Sequence, residues 1–232
     1  MKVINIFISG IIGILLFFLL LHTSLELVAY NVEYYSWQYD IHNIPEKTGT
    51  SLNELTRITK NMIYYLKGNK ETLDMTAIIQ GKKQEVFNER EKEHMVDVKR
   101  IFQLGKLSRN ICGITLMLVF IYIYFKNKKL LTIILSLIKY VFAVIFMLIL
   151  ILSGLLLIDF NKYFTIFHEI FFTNDLWLLN PKTDILINMV PEIFFFQTAM
   201  IILGIFVLSA ILLLVLLERV RRNIKVRFKY ND

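Results

Sequence analysis

The sequence predicts an all-α integral membrane protein, with four transmembrane helices, a mostly helical extracytoplasmic cap, and cytoplasmic N and C termini. Three observations lead there. Apolar residues make up 56% of the 232, above the ~45–50% of soluble domains, and most of them fall into four long blocks. Basic residues gather at the ends of those blocks. A polar segment long enough to have structure of its own separates the first block from the second.

The blocks run over 3–28, 111–125, 130–158 and 193–217. A helix needs ~20 predominantly apolar residues to cross ~30 Å of hydrocarbon. The second block is short until it is extended back to Leu107, with Arg109 snorkelling toward a headgroup. The expected organisation is then a first span at 1–29, a cap segment at 30–106, a second span at 107–125 and a turn at 126–129. A third span follows at 130–158, a second extracytoplasmic segment at 159–191, a fourth span at 192–217 and a basic tail at 218–232. The first block exceeds the ~7–15 apolar residues of a signal-peptide core and lacks a clean small-x-small cleavage site, so it reads as a retained span.

The formal net charge is +7. On a soluble protein this would suggest nucleic acid. Here Arg219, Arg221, Arg222, Lys225, Arg227 and Lys229 follow the fourth span, and Lys126, Lys128 and Lys129 fill the turn between spans two and three. The positive-inside rule places both groups in the cytoplasm, and an even number of spans brings the N terminus, with Lys2, to the same side. Membrane lipid is therefore the expected partner of these charges, and no nucleic acid. The single cysteine, Cys112, lies in the second span, which rules out an intramolecular disulfide and a Cys-rich metal site.

Within the cap segment, Ser51-Leu52-Asn53-Glu54 reads as a capping box. Leu52, Leu55, Ile58, Met62, Ile63 and Leu66 follow at helical spacing, and Gly68-Asn69 supplies a stop. A second helix should start at Asn88, with Glu89 and Glu91 in its first turn, and run toward Phe102 and the second span. Between them, residues 76–87 suit a short hairpin with a turn near Gly81-Lys82-Lys83. The second extracytoplasmic segment carries Phe164, Phe167, Phe171, Phe172 and Trp177, which suit a membrane interface. Asn180-Pro181 reads as a cap followed by Pro at the first helical position, and Pro191 repeats the device before span four. A short interfacial helix is expected between the two prolines.

No P-loop, Rossmann glycine pattern, Gly-x-Ser-x-Gly or His-Glu-x-x-His is present. The titratable candidates are the four histidines. His94 has Glu91 and Asp97 three residues to either side, on one helix face, where a carboxylate could fix its tautomer; a solvated charged helix is the plainer alternative. His168 stands alone in an aromatic stretch at the outer end of span three, where an ionisable group is costly and suggests function; an interfacial ring reaching water is its alternative. His22 and Glu26, four apart in span one, can pair with each other. Lys139 is near enough to the cytoplasmic end of its span to snorkel. A two-histidine metal site with Glu91, Asp97, Asp175 or Asp184 matches no standard zinc spacing, so no metal and no cofactor is expected.

Two stretches resemble the signatures of a known family. Phe87-Asn88-Glu89-Arg90-Glu91-Lys92-Glu93-His94-Met95-Val96-Asp97-Val98-Lys99 is similar to the first signature of the lipoprotein intramolecular transacylase (Lit) family of low-GC Gram-positive bacteria. Phe167-His168-Glu169-Ile170-Phe171-Phe172, followed by Trp177, Pro181, Asp184 and Pro191-Glu192-Ile193-Phe194-Phe195, resembles the second. The resemblance spans nearly the whole chain, including the order of spans and the long first external segment. Asn88 and Asn180 depart from it, standing where a hydroxyl and an acidic residue are expected. The departure weakens any role for position 180 and leaves the histidines untouched.

The resemblance implies an acyltransferase of the bacterial cytoplasmic membrane whose active site faces the outer leaflet. Its substrate would be a diacylglyceryl-modified lipoprotein. The sn-2 acyl chain would pass to the α-amino group of the N-terminal cysteine, giving the lyso form, N-acylated and S-monoacylglycerylated. The family's two functional histidines fall on His94 and His168, with Glu91, Asp97, Asp175, Trp177 and Asp184 shaping or supporting the site. Attack of the amine closes a ring through Cα, Cβ, sulfur, two glyceryl carbons, the ester oxygen and the acyl carbon, so holding a bent conformation is a major catalytic task. An α-amine, which ordinarily titrates at ~7.7–8.0, needs a base, the leaving oxygen needs a proton and the tetrahedral oxyanion needs donors. One division makes His94 the base, oriented by Glu91 or Asp97, with His168 serving the oxygens; the reverse stands beside it. Two other classes of function fit the chain more loosely. One is a non-enzymatic membrane scaffold or sensor with a partner-binding cap, and the other is a metal-dependent membrane hydrolase.

Overall fold

A computed structural model describes residues 2–229; Met1 and, at the end of the basic tail, Tyr230, Asn231 and Asp232 lie outside the described residues. The chain is mostly helical, and four described helices are long and apolar enough to cross a membrane. They are α1 (Lys2–Ala29), α5 (Glu89–Lys126), α6 (Lys128–Ile158) and α9 (Glu192–Lys229). The chain divides into two compact units.

The first unit takes in residues 1–25, 106–154 and 201–232, and so most of α1, α6 and α9 with the C-terminal part of α5. Its core is built on the apolar residues Ile12, Leu16, Leu116, Ile134, Ile138, Phe142, Phe206 and Ala210. Its outward surface is apolar as well: Leu150 is 72% exposed and Leu208 70%. Water would penalise such a surface and hydrocarbon does not. At Gly13 a Cβ would lie 2.5 Å from Val141 Cγ1, so the glycine is what lets α1 approach α6 there. Asn127 alone joins α5 to α6, and its side chain caps α6 by accepting the Leu130 N–H at 2.9 Å. After the apolar stretch α9 stays helical through its charged end, where Glu218 pairs with Arg221 and Arg222.

The second unit takes in residues 26–105 and 155–200. It contains α2 (Val32–Ile41), α3 (Ile44–Thr48), α4 (Leu52–Leu66), strands β1 (Thr76–Ile79) and β2 (Lys82–Glu85), the start of α5, α7 (Phe160–Phe171), α8 (Ile185–Met189) and the first turns of α9. Helix α4 buries Leu55, Ile58, Met62, Ile63 and Leu66 of the stripe its spacing predicted, while Leu52 in its first turn stays exposed. Ser51 caps it, accepting the Glu54 N–H at 3.3 Å. The Glu54 carboxylate, expected to complete a capping box, turns instead to Arg57 at 2.5 Å. Gly68, at φ +82°, ends the helix in the left-handed conformation that glycine adopts without strain. The hairpin is real, but its turn is Gln80-Gly81, both with positive φ, the geometry that matches strand twist.

Three helices of this unit are additions to what the sequence predicts. α2 and α3 occupy what reads as featureless polar chain, and α7 occupies the aromatic stretch that reads as an interfacial belt. The expected helix between the prolines is α8, which starts later than Asn180-Pro181 suggests: residues 180–183 form a turn and Asp184 holds the N-cap position.

Candidate active site

Both histidines belong to the second unit. His94 lies in the second turn of α5, whose start is fixed by a reciprocal cap. The Asn88 side chain accepts the Glu91 N–H at 3.0 Å, and Glu91 Oε2 accepts the Asn88 N–H at 2.8 Å. The asparagine thus performs the capping expected of a hydroxyl residue. The other Glu91 oxygen accepts the Leu186 N–H at 2.7 Å, which ties α8 to α5. Glu91 is 1% exposed, and both of its oxygens are engaged by backbone donors.

His168 lies on α7 and is buried among aromatic rings. Phe164 approaches it at 4.3 Å between centroids, Trp177 stacks on it at 4.8 Å with an interplanar angle of 26°, and Phe172 lies at 5.5 Å. Its Nδ1 is 2.7 Å from the Phe164 carbonyl oxygen. A carbonyl only accepts, so Nδ1 carries the proton and the neutral ring presents the lone pair of Nε2. Burial holds the His168 pKa below the ordinary histidine value, and the Phe164 hydrogen bond opposes that shift. The ring is therefore neutral at neutral pH, a state in which Nε2 can accept a proton.

The fold brings the two imidazoles together, with centroids 6.4 Å apart and planes at 35°. Both are buried, and Phe172 packs on His94 at 5.2 Å. Burial first, and then the neighbouring His168 ring, push the His94 imidazole pKa down to about 4.

The supporting residues are placed differently from the expectation that Glu91 or Asp97 orients His94. Neither carboxylate hydrogen-bonds that ring. Glu91 is held by the cap and by Leu186, and Asp97 accepts from Asn174 Nδ2 at 2.8 Å. Asp175 lies 3.4 Å from an Arg90 nitrogen, and its carbonyl accepts from the same group. Trp177 donates its indole N–H to the Asn174 carbonyl at 3.0 Å while stacking on His168. The loop at 173–177 is thus fastened to α5 by Arg90 and Asp97, on either side of His94. Asp184 is buried and collects the Asn180 N–H at 2.7 Å, the Thr183 hydroxyl at 2.7 Å and Asn88 Nδ2 at 2.9 Å. Burial works against its charge, but these hydrogen bonds prevail and hold the carboxyl below its ordinary range.

Sequence reasoning passed over Arg90, Asn174 and, as members of the site, Phe164 and Phe172. The one available signal was the spacing of Arg90, a single helical turn before His94. The other histidines lie elsewhere: His42 hydrogen-bonds Gln197 at 3.0 Å, and His22 is on the part of α1 within the first unit. Among the described residues no group of three His, Cys, Asp or Glu side chains is placed to hold a metal ion.

The fold is similar to that of the membrane-integral lipoprotein intramolecular transacylase Lit from Bacillus cereus. The TM-score is 0.72 at 23% identity, with all of both chains covered. Two histidine variants of that protein match equally well. One carries arginine in place of a histidine, at 22% identity over all of this chain and 96% of the other. The second carries alanine, at 23% over all of this chain and 97% of the other. No curated protein matches the chain. Residues 10–195 match the family model described as lipoprotein intramolecular transacylase Lit, and with most of its length matched, site included, the chain belongs to the lipoprotein intramolecular transacylase Lit family.

Proposed function

We propose that this transacylase moves the sn-2 acyl chain of a diacylglyceryl lipoprotein onto the α-amino group of that lipoprotein's N-terminal cysteine. The product is the lyso form. The observation that carries this reading is the pair of buried imidazoles 6.4 Å apart, close enough to serve one head group. His168 Nε2 takes the proton from the attacking amine, because its other nitrogen is committed to the Phe164 carbonyl. His94 serves the oxygen side of the reaction. The aromatic wall of Phe164, Phe172 and Trp177 around the rings excludes water, which favours aminolysis over hydrolysis. The confined site also favours the bent conformation that ring closure needs.

The reaction is an isomerisation, so the intact mass of the lipoprotein does not change. Tandem mass spectrometry of N-terminal peptides should show one acyl group on nitrogen and a monoacylglyceryl group on sulfur in membranes containing the protein. Without it, the amine should be free and the diacylglyceryl group intact. A mixture of substrates with isotopically labelled and unlabelled chains should give products that retain their own chains. Scrambled label would mean an intermolecular or acyl-enzyme route and would overturn this course.

The site is assigned to the outer leaflet of the bacterial cytoplasmic membrane, with both termini inside. Lys126, Lys128 and Lys129 between α5 and α6, and the basic end of α9, support that orientation. A cysteine at Asn69 should react with a membrane-impermeant thiol reagent in intact cells, while one at Asn127 should react only after lysis. The opposite labelling would place the site in the cytoplasm.

A further inference from the structure

Arg90 Nε and His94 Nδ1 are both buried and both without a hydrogen-bond partner. Burying a polar group unpaired is costly, and native structures keep few such groups without a reason. These two stand on successive turns of one face of α5, at i and i+4, and the second belongs to the imidazole pair. The far end of the guanidinium is occupied: one terminal nitrogen donates to the Asp175 carbonyl and lies 3.4 Å from the Asp175 carboxylate. Arg90 is thus held at its tip, with Nε left over. Acyl transfer also calls for more than the histidines supply. His168 offers only Nε2, as the base, and His94 can give the oxyanion one hydrogen bond where such oxygens commonly take two.

We infer that Arg90 is a catalytic residue, its Nε–H and the Nδ1–H of His94 together binding the sn-2 carbonyl oxygen as it becomes an oxyanion. The inference rests on the transacylase course set out above. In the step, the amine lone pair forms the N–C bond and the carbonyl π pair moves onto oxygen, where the two N–H groups meet it. His168 Nε2 takes the proton released by nitrogen. The oxyanion pair then re-forms the carbonyl, the bond from the acyl carbon to the sn-2 oxygen breaks, and that oxygen takes the proton back from His168. Protons and electrons balance, and Arg90 stays protonated throughout.

The competing role is a tether, in which Arg90 only fastens the loop at 173–177. Steady-state formation of the lyso product from a synthetic diacylglyceryl lipopeptide, in vesicles holding the full chain, separates the two. Arg90→Ala should lower kcat by about 10²–10³ and leave KM within about threefold, the split expected of a contact made in the transition state. Added methylguanidinium should restore part of that loss. Asp175→Ala, which loosens the same tether, should cost at least about tenfold less than Arg90→Ala by the same reasoning. Equal losses in the two variants, or a loss confined to KM, would overturn the oxyanion role. Should Arg90→Ala not fold, Arg90→Lys keeps the charge and displaces the donor, and its kcat should still fall; a wild-type kcat in that variant overturns the proposal. Wild-type protein that forms no lyso product would instead overturn the transacylase course on which this rests.

Discussion

His168→Ala should lower the rate of lyso-lipoprotein formation by about 10²–10⁴, the usual loss when a general base is removed. His94→Ala should lower it by about 10²–10³, as for an oxyanion donor. Both variants should remain folded and inserted, because the cap of α5 does not depend on either ring. The amide variants separate the two roles. An asparagine at 94 still offers N–H donors near the position of Nδ1, so His94→Asn should retain more activity than His94→Ala. An amide is no base, so His168→Gln should be as inactive as His168→Ala. The Phe164 carbonyl supports this assignment, since with Nδ1 holding its proton against that oxygen only Nε2 is left to accept one. Recovery in His168→Gln without recovery in His94→Asn would reverse the roles. Near-normal rates in both alanine variants would remove the imidazole pair from the chemistry.

The parts of this fold legible in the sequence are those where one strong force acts alone. Four long apolar blocks identify the helices of the first unit, because nothing but hydrocarbon tolerates such surfaces. The stripe of α4 with Ser51 before it, and the stop at Gly68, are local signals that tertiary packing does not override. Helix α2 was illegible for the opposite reason. Its buried face is made of Tyr35, Gln38 and Tyr39, which leave no aliphatic stripe to read, and the Tyr39 hydroxyl finds its partner on another helix, meeting Thr59 at 2.7 Å. Helix α7 was hidden by its composition. Its phenylalanines look like a membrane-interface belt, and Phe167 and Phe171 stay exposed, while Phe164 packs on the His168 imidazole.

At the site, the sequence offered both histidines as candidates, the family resemblance paired them, and local spacing could not apportion the carboxylates around them. Placing Glu91 and Asp97 three residues from His94 on one face is correct as geometry. It omits the competitors: the Leu186 N–H, 95 positions away, takes one Glu91 oxygen, and Asn174, 77 positions away, takes Asp97. Long-range donors decide which neighbour on a helix face a carboxylate serves, and a sequence pattern of local spacing does not contain them.

Glu91 therefore yields the second large effect. Glu91→Ala deprives two backbone N–H groups, those of Asn88 and Leu186, of their acceptors. Each unsatisfied buried donor costs about 1–3 kcal/mol, so the loss is on the order of 2–6 kcal/mol if both stay dry. Glu91→Gln keeps one carbonyl oxygen but presents an NH2 group to the other donor, so about half of that loss should remain. Thermal unfolding in detergent or nanodiscs should show wild type above Glu91→Gln and Glu91→Ala lowest. Amide exchange at Leu186 should accelerate in the same order, because the bond that pins α8 to α5 is the one removed. Lyso-product formation should fall alongside, as the turn that carries His94 loses its cap. If the carboxylate instead oriented the His94 ring, Glu91→Gln would lose activity while its unfolding temperature and Leu186 exchange stayed at wild-type values, and that outcome would overturn the scaffolding role assigned to it.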